Sequence, residues 1–296
     1  LATEFRVDAV YPSVDAALDA ENFDIASVCL PTHLHASTTV RLLEAGVHVL
    51  TEKPIALELE DARRMMRTAR EQNRKLSVVF NRRFSSGFDE LRQKIDELGS
   101  PLFYRVEDLR MIRPKRAMHD VRQNGGPVID CACHDFDLLY KLFGPVESVY
   151  ATGYAFAKPE VLEIPVERVA IDTASILLRF VNGFAAEIYY CWGLPERDHY
   201  RIRRSFMGPE GIVTALGDFG QTVEYYRKDG VSQVTGSFVP DGHAKQIARF
   251  VESVIEDTGV PVPPEDGLRA LRLSLLALQS IETGKIMKVD EKGGYR

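Results

Sequence analysis

The chain has 296 residues, of which 45% are hydrophobic and 27% are charged, and its formal net charge at pH 7 is -6. This composition is typical of a soluble globular protein with room for two domains, and it excludes a disordered chain. The lysines and arginines are scattered, so the charge also argues against a nucleic-acid-binding surface.

The sequence contains no recognisable membrane span, signal peptide or disulfide framework. No apolar run approaches the ~20 residues that cross a bilayer, and the first residues lack the charged and apolar regions of a signal peptide. The cysteines follow no disulfide spacing, which favours a reducing cytoplasm; they are Cys29, Cys131, Cys133 and Cys191. The chain starts with leucine, so we expect the true N-terminus to lie upstream.

Short apolar segments alternate with helical patterns in the first part of the chain. We predict strands at 7–11, 24–30, 47–50 and 75–80, and helices at 14–19, around 40–45 and at 59–72. Ser13 caps the first of these helices, and Gly46 ends the second. This alternation is typical of a doubly wound α/β domain, which we assign to residues 1–84.

The pattern changes after Phe84. A helix at 88–98 is followed by strand patterns, and Asn182-Gly183 and Asp229-Gly230 each separate two strand-like runs, which is a strong hairpin signal. A further turn falls at 208–211, and two helices, about 243–257 and 268–282, close the chain. We predict that residues 85–296 form an α+β domain with a mostly antiparallel open sheet.

The first candidate for chemistry is Lys53. It directly follows the predicted strand at 47–50, and in a parallel sheet ligands collect beyond the carboxyl ends of the strands. Pro54 lacks an N–H and ends the strand's hydrogen bonding, while Glu52 could pair with Lys53 or bind a ligand hydroxyl. The alternative is a solvated surface lysine.

A second group of polar residues follows the strand that ends at Pro31. Thr32, His33 and His35 could contact a ligand at this edge, or they could merely cap the helix that follows.

The third candidate segment begins at Gly125-Gly126 and is predicted to continue as one helix to Phe143. On one face of that helix lie Asp130, His134 and Asp137, with Cys133 beside them. A carboxylate one turn from an imidazole can orient the ring and raise its basicity, as a general base requires. A hydrogen-bonded pair without a catalytic role is the equal alternative.

A metal site is not predicted in this segment. Cys131 and Cys133 point in different directions on a helix, and no third ligand accompanies Asp130 and His134.

Together these motifs resemble the glucose-fructose oxidoreductase / inositol dehydrogenase (Gfo/Idh/MocA) family of NAD(P)-dependent oxidoreductases. The resemblance rests on Pro31-Thr32-His33-Leu34-His35, on 45–54, on Asn81-Arg82-Arg83-Phe84, and on Gly125-Gly126 followed by Asp130, His134 and Asp137. It extends over essentially the whole chain and implies a Rossmann domain for NAD or NADP and a second domain whose open sheet forms oligomer contacts.

The resemblance also implies roles for individual residues. The catalytic residues would be Lys53, Asp130 and His134, with the proton carried by the lysine or the histidine and with Asp130 binding a substrate hydroxyl or steadying the base. The cofactor contacts would come from Pro31, Thr32, His35, Glu52, Lys53 and Arg83.

Two features depart from the family pattern. Leu30 stands where the family commonly has a threonine, and the chain contains no Gly-x-Gly-x-x-Gly motif. We therefore expect that the N-terminal part of the Rossmann domain, with its glycine loop, precedes Leu1, and the sequence leaves NAD and NADP as alternatives.

The expected function is hydride transfer between a nicotinamide cofactor and a secondary alcohol or ketone carbon of a sugar, cyclitol or derivative. The alternatives are an NAD-dependent glycosidase and a non-catalytic sugar or cofactor sensor. The segment 108–124 is rich in Arg and Lys and could meet a charged substrate, or it could be a solvated loop. The expected partners are a small sugar or polyol substrate and further copies of the chain in a homodimer or homotetramer, without nucleic acid or membrane.

Overall fold

The computed structural model describes residues 4, 7–85, 88–113, 115–195, 201–216, 222–228, 230–235 and 241–290. The first half of the chain contains α1 (Val14–Ala20), β1 (Ile25–Val28), α2 (His35–Glu44), β2 (His48–Thr51), α3 (Leu59–Glu71), β3 (Leu76–Val78), α4 (Phe88–Asp96), β4 (Phe103–Met111), α5 (Pro127–Asp130) and α6 (Ala132–Phe143). The second half contains β5 (Val146–Tyr154), α7 (Pro159–Leu162), β6 (Thr173–Phe180), β7 (Ala185–Leu194), β8 (Arg201–Gly208), β9 (Gly211–Leu216), β10 (Thr222–Arg227), β11 (Gly230–Thr235), α8 (Gly242–Ile255), α9 (Pro264–Thr283) and β12 (Met287–Lys288).

The first sheet is parallel, with the order β1-β2-β3. Its strands are joined by α2 and α3, and α3 turns Ala62, Met65 and Met66 inward while its charged residues face outward. Central apolar residues such as Val49 and Val78 are fully buried. The βαβ arrangement predicted for this part of the chain is therefore present.

The second sheet is mixed and has the order β11-β10-β9-β8-β4-β7-β6-β5-β12. Strands β4 and β7 pair in parallel, and the other described neighbours pair antiparallel. The hairpin predicted at Asn182-Gly183 joins β6 to β7, and Gly183 has the positive φ of +85° that this turn requires. The turn predicted at 208–211 joins β8 to β9. The hairpin predicted at Asp229-Gly230 joins β10 to β11, although Asp229 itself lies outside the described residues.

The last two helices pack against both sheets. Phe250 of α8 packs with Leu50 and Val79 of the first domain, and α9 lies against β3 as well as β5 and α6. The Ser77 hydroxyl donates a 2.9 Å hydrogen bond to the Val262 carbonyl oxygen. The C-terminal helices therefore contribute to the core of the first domain, and the division into residues 1–84 and 85–296 stays a prediction.

Two predicted secondary-structure elements differ from the structure. The segment 7–11 forms no strand, and Val7 and Val10 are 52% and 74% exposed because no described neighbouring strand pairs with them. Helix α9 begins at Pro264, four residues before the expected start, because proline at the first helical position needs no N–H partner and already has a helical φ.

Candidate active site

The carboxyl ends of β1 and β2 lie side by side. The strands pair in parallel up to Val28 and Thr51, so the segments that follow them leave the sheet at the same edge. Glu52 and Lys53 follow β2, and the Glu52 carboxylate accepts a 3.2 Å hydrogen bond from the Lys53 backbone N–H. The sequence placed Lys53 at this edge correctly.

The residues that follow β1 differ in exposure. Pro31 is exposed, whereas Thr32 is buried and its hydroxyl donates a 2.8 Å hydrogen bond to Asn124 Oδ1. Leu30 is 41% exposed and Leu34 38% exposed, so the segment after β1 presents apolar side chains to solvent.

The His35 side chain connects the segments that follow β1 and β2. It is buried, and its two ring nitrogens lie 2.8 Å from the carbonyl oxygens of Leu30 and Pro54. Burial lowers the pKa of His35, so the ring is neutral near pH 7 and donates to one of these oxygens at a time. Both polar atoms of the ring thus face the backbone, and the direct cofactor contact stays a prediction.

The helix predicted from 127 to 143 is interrupted at Cys131. The segment consists of α5 and α6, with Cys131 (φ -103°, ψ -45°) between them. The His134 N–H donates to the Cys131 carbonyl oxygen, which leaves the Asp130 carbonyl outside the helical ladder. That carbonyl accepts a 2.9 Å hydrogen bond from Lys53 Nζ, and this tertiary contact explains the break.

Lys53 also forms an ion pair with the carboxylate of Asp130. Lys53 Nζ lies 2.9 Å from Asp130 Oδ1, and the two side chains are 18% and 10% exposed. Burial lowers the pKa of Lys53, but the Asp130 carboxylate raises it further, and the net shift is upward. Lys53 is therefore a cation near pH 7, and its ammonium group is oriented by two Asp130 oxygens, the backbone carbonyl oxygen and Oδ1.

His134 lies beside this pair as a neutral ring. Burial lowers its pKa well below the ordinary value of 6.5, and the nearby charges of Arg82 and Lys53 lower it further. Its Nδ1 is buried without a hydrogen-bond partner among the described residues, and its ring meets Phe80 edge-to-face at 5.9 Å. The expectation that Asp130 raises the basicity of His134 is wrong, because Asp130 is bound to Lys53.

The next residue of α6 anchors the helix to the second sheet. Asp135 is completely buried, and its carboxylate accepts hydrogen bonds from the hydroxyls of Tyr104 and Tyr190 and forms ion pairs with Arg82 Nη1 at 3.3 Å and Arg204 Nε at 3.4 Å. Burial raises the pKa of Asp135, but the two arginines outweigh it and hold that pKa at about 2. The position of His134 is thus fixed by a buried charge network.

Arg83 belongs to a different cluster. Its guanidinium binds both carboxylate oxygens of Asp137 and also Asp266 Oδ2 at 2.7 Å. Asp137, which was predicted on the same helix face as Asp130 and His134, therefore ties α6 to the segment after β3. The cofactor contact of Arg83 stays a prediction, and the arginine whose charge acts on His134 is its neighbour Arg82, which sequence reasoning missed.

The segment between β4 and α5 is ordered by a buried aspartate. Asp120 is completely buried and binds the Arg122 backbone N–H, Gln123 Nε2 and the Arg168 guanidinium. The solvated-loop alternative for this segment is therefore wrong around Asp120. The end of this segment contacts the first domain through Asn124, which accepts the hydrogen bond from Thr32. Nothing in the local sequence around Thr32 or Asn124 predicted this contact.

Gly126 allows the segment to start α5 where it does. Its φ is +73°, and a Cβ there would lie 2.6 Å from Ala170 Cβ and 3.0 Å from the Ile171 carbonyl oxygen. Glycine is required both by the backbone conformation and by the close approach. Asp130, four residues later, depends on this start for its position.

Among the described residues, no helix is long and apolar enough to cross a membrane. Within the same residues, no three His, Cys, Asp or Glu side chains converge as ligands for a metal ion. The four cysteines are free thiols.

Comparison with known proteins places this geometry in a family. Residues 1–80 match the Gfo/Idh/MocA family model of the NAD-binding Rossmann fold, and residues 92–289 match the model of the C-terminal α/β domain of the same oxidoreductase family.

Individual relatives agree with this match. The oxidoreductase YrbE of Bacillus subtilis is 29% identical over 98% of this chain and 85% of its own length. The myo-inositol 2-dehydrogenase of Thermotoga maritima is 27% identical over 96% of this chain and 85% of its own. The WlbA dehydrogenase of Bordetella pertussis, solved with NADH and UDP-GlcNAcA, shares the fold with a TM-score of 0.80 at 23% identity, covering 98% of this chain and 86% of that chain. The chain belongs to the Gfo/Idh/MocA oxidoreductase family, with an NAD-binding Rossmann domain followed by a C-terminal α/β domain.

Proposed function

We propose that the protein transfers a hydride between NAD or NADP and a secondary alcohol or ketone carbon of a sugar, cyclitol or derivative. The observation that carries this proposal is a cationic Lys53, held by Asp130 at the carboxyl end of β2, together with a neutral, partly buried His134 on α6. The relative named as a myo-inositol 2-dehydrogenase supports the polyol class.

In this proposal Lys53 and His134 have different roles in proton transfer. When the alcohol is oxidised, its hydroxyl loses a proton as the hydride leaves the same carbon. Lys53 remains protonated and donates a hydrogen bond to the oxygen, which stabilises the developing negative charge. His134 is neutral and can accept the hydroxyl proton, and in the reverse direction it returns that proton to the oxygen.

The edge beside β1 and β2 suits a nicotinamide nucleotide. The exposed Leu30 and Leu34 offer an apolar surface to a ring, and the half-buried Glu52 carboxylate can accept from ribose hydroxyls. Pro31 and Thr32 lie at the same edge, so we propose these residues with Glu52 and Lys53 as cofactor contacts. A bound nicotinamide supplies or accepts the hydride.

The test of this function is the appearance of NAD(P)H absorbance when the protein is mixed with each cofactor and a panel of sugars and polyols. Turnover supports the dehydrogenase. Dinucleotide binding without turnover on any member favours the sensor, and release of an aglycone without net NADH favours the glycosidase.

The pH dependence of kcat/KM is expected to separate the two residues. Because the pKa of His134 lies below 6.5, the base form is lost only as pH falls through that lower pKa, so activity should persist at pH 6.5 and decline below it. Because the pKa of Lys53 is raised above 10.5, no loss from its deprotonation is expected up to that pH. An acid limb centred above 6.5 that disappears in His134→Gln would contradict this assignment.

We also propose that the open sheet of the second domain forms a homodimer or homotetramer. The face opposite the helices exposes apolar side chains, and Tyr150 of β5 and Leu177 of β6 are direct cross-strand partners at 39% and 46% exposure. We expect Leu177→Glu to dissociate the oligomer, measured by light scattering, whereas Val166→Glu, on an exposed turn, should not. A parent protein that is monomeric would contradict the proposal.

The four free cysteines support a reducing compartment, the cytoplasm.

A further inference from the structure

The first turn of α8 lies against the carboxyl end of β3. Gln246 Nε2 donates a 2.7 Å hydrogen bond to the Val78 carbonyl oxygen, and both atoms are buried. A Cβ at Gly242 would overlap the Asn81 carbonyl oxygen, so the two backbones approach as closely as a glycine permits. The next residue, His243, therefore stands at the edge of the first sheet where the strands end, and the motif analysis did not select it.

Asn81 fixes the orientation of the His243 ring. The Asn81 side-chain nitrogen lies 3.1 Å from His243 Nδ1. An amide NH₂ group is a donor only, so Nδ1 accepts this hydrogen bond and the proton of the neutral ring is on Nε2. Asn81 is 5% exposed, whereas the His243 side chain is 56% exposed. The ring is thus held through one nitrogen, and its Nε2–H is accessible to a ligand.

The Glu52 carboxylate faces this N–H across a short gap. Glu52 Oε1 lies 4.0 Å from His243 Nε2, which is too long for a hydrogen bond. The other carboxylate oxygen, Oε2, accepts the 3.2 Å hydrogen bond from the Lys53 backbone N–H. The Glu52 side chain is 26% exposed, so Oε1 is accessible as well. We call His243 and Glu52 the bridging pair.

A hydroxyl group matches the bridging pair. A hydroxyl oxygen can accept from the imidazole N–H and donate its own hydrogen to the carboxylate, and an oxygen about 2.8 Å from each atom spans this gap. A carbonyl or ionised phosphate oxygen has no hydrogen for the carboxylate, and an ammonium group has no acceptor for the N–H. The pair therefore selects a group that is donor and acceptor at once.

The bridging pair adjoins both candidate catalytic residues. Glu52 directly precedes Lys53 and binds its backbone N–H. Burial lowers the pKa of His134 most, and His243 is close enough that its positive charge is among those that lower this pKa further. In the proposed reaction the nicotinamide carbon that exchanges the hydride lies beside these residues. The cofactor hydroxyls nearest to that carbon belong to the ribose that carries the nicotinamide.

We propose that His243 is a further cofactor-binding residue, which donates its Nε2–H to a hydroxyl of the nicotinamide ribose while that hydroxyl donates to Glu52. This inference rests on the proposed function and deepens it, because it adds a residue of the C-terminal helices to the cofactor site. The cofactor would then contact both the strand ends of the first sheet and the first turn of α8.

A binding titration tests this contact without turnover. The full-length protein is titrated with NADH and with NADPH, followed by the fluorescence of the reduced nicotinamide. For the cofactor that binds more tightly, His243→Ala is expected to weaken binding by about three- to tenfold, the effect of one lost hydrogen bond. His243→Gln places an amide donor near the position of Nε2 and should fall between the parent and His243→Ala.

His48→Ala is the matched control. His48 Nδ1 also accepts a hydrogen bond, 2.9 Å from the Lys75 backbone nitrogen, but His48 lies at the start of β2, at the opposite end of the sheet. This variant loses an imidazole with the same bonding pattern and should bind the cofactor as the parent does.

A double-mutant cycle tests whether one hydroxyl joins the bridging pair. Glu52→Ala and His243→Ala should each weaken cofactor binding, and the double variant should lose less than the product of the two single losses, because both side chains bind the same group. Losses that multiply would overturn the shared hydroxyl.

The remaining outcomes separate this inference from the proposed reaction. Cofactor binding by His243→Ala equal to that of the parent overturns the contact and leaves the reaction standing. Unchanged cofactor binding with a raised KM for the sugar also overturns it, because the hydroxyl would then belong to the substrate. Weakened cofactor binding in a protein without turnover on any sugar retains the contact and rejects hydride transfer. A parent that binds neither cofactor rejects both.

Discussion

Replacing Lys53 with alanine is expected to lower kcat by about 10²–10⁴-fold in the NAD(P)-linked assay. The ammonium group is held by both the carbonyl and the carboxylate of Asp130, and no other cation is fixed at that position among the described residues. Without it, the negative charge that develops on the substrate oxygen has no fixed donor. Steady-state kinetics on the variant and the parent give the ratio directly.

Lys75→Ala is the matched control for this variant. Lys75 is also a mostly buried lysine, 17% exposed, and its Nζ lies 2.9 Å from Asp257 Oδ1, as Lys53 Nζ lies 2.9 Å from Asp130 Oδ1. It stands before β3, at the end of the sheet opposite the carboxyl ends of the strands. We expect its kcat to stay near the parent value. Similar losses in both variants would mean that Lys53 supports the fold and not the reaction.

Replacing Asp135 with asparagine is expected to lower the free energy of unfolding by about 3–5 kcal/mol. The carboxylate is completely buried between Arg82 and Arg204, so its loss removes the counter-charge that faces Arg82 and weakens the compensation of Arg204, which also pairs with Asp108 at 3.9 Å. Urea unfolding of the two proteins measures the difference. Asp61→Asn is the control, because Asp61 pairs with Arg64 in water on the surface of α3 and should contribute little. An Asp135 variant as stable as the parent would show that the network is not a source of stability.

The effect of Asp135 on stability should depend on pH in one direction. Its pKa is lowered from 3.8 to about 2 in the folded protein, so the carboxylate stabilises the fold fully above pH 3.8. As pH falls from 3.8 towards about 2, the unfolded chain binds a proton at this carboxyl group while the folded protein does not, so this contribution to stability is lost. The difference between the parent and Asp135→Asn should therefore narrow over that range.

Local sequence signals were enough to find the three strands of the first sheet and the position of Lys53 after one of them, because these features depend on neighbouring residues. The apolar runs at 24–30, 47–50 and 75–80 each overlap a strand, and the position of Lys53 follows from the end of the second one. The ion pair of Lys53 with Asp130 joins residues 77 positions apart, so the break at Cys131 that exposes the Asp130 carbonyl depends on a contact that no local pattern records.

The contacts of the adjacent residues Arg82 and Arg83 also could not be predicted from the local sequence. Both lie in one short 3-10 turn, 81–84, and the sequence does not determine which side chain faces which helix. Packing decides it: Arg83 meets Asp137 and Asp266, and Arg82 meets Asp135 next to His134. The family motif directed attention to Arg83, whereas the charge that acts on the candidate base comes from Arg82.

The return of α8 and α9 to the first sheet has a consequence for the order of folding during synthesis. Leu50 and Val79 acquire Phe250 as a neighbour, and Ser77 acquires the Val262 carbonyl, only after residues 250–262 have left the ribosome. Domains that are continuous in sequence can fold as soon as they emerge, but this one lacks its contacts with Phe250 and Val262 until the segment from α8 to α9 has been made. Until then Leu50 and Val79 lack the Phe250 side chain, and a truncation before α8 would remove contacts of the first domain as well as of the second.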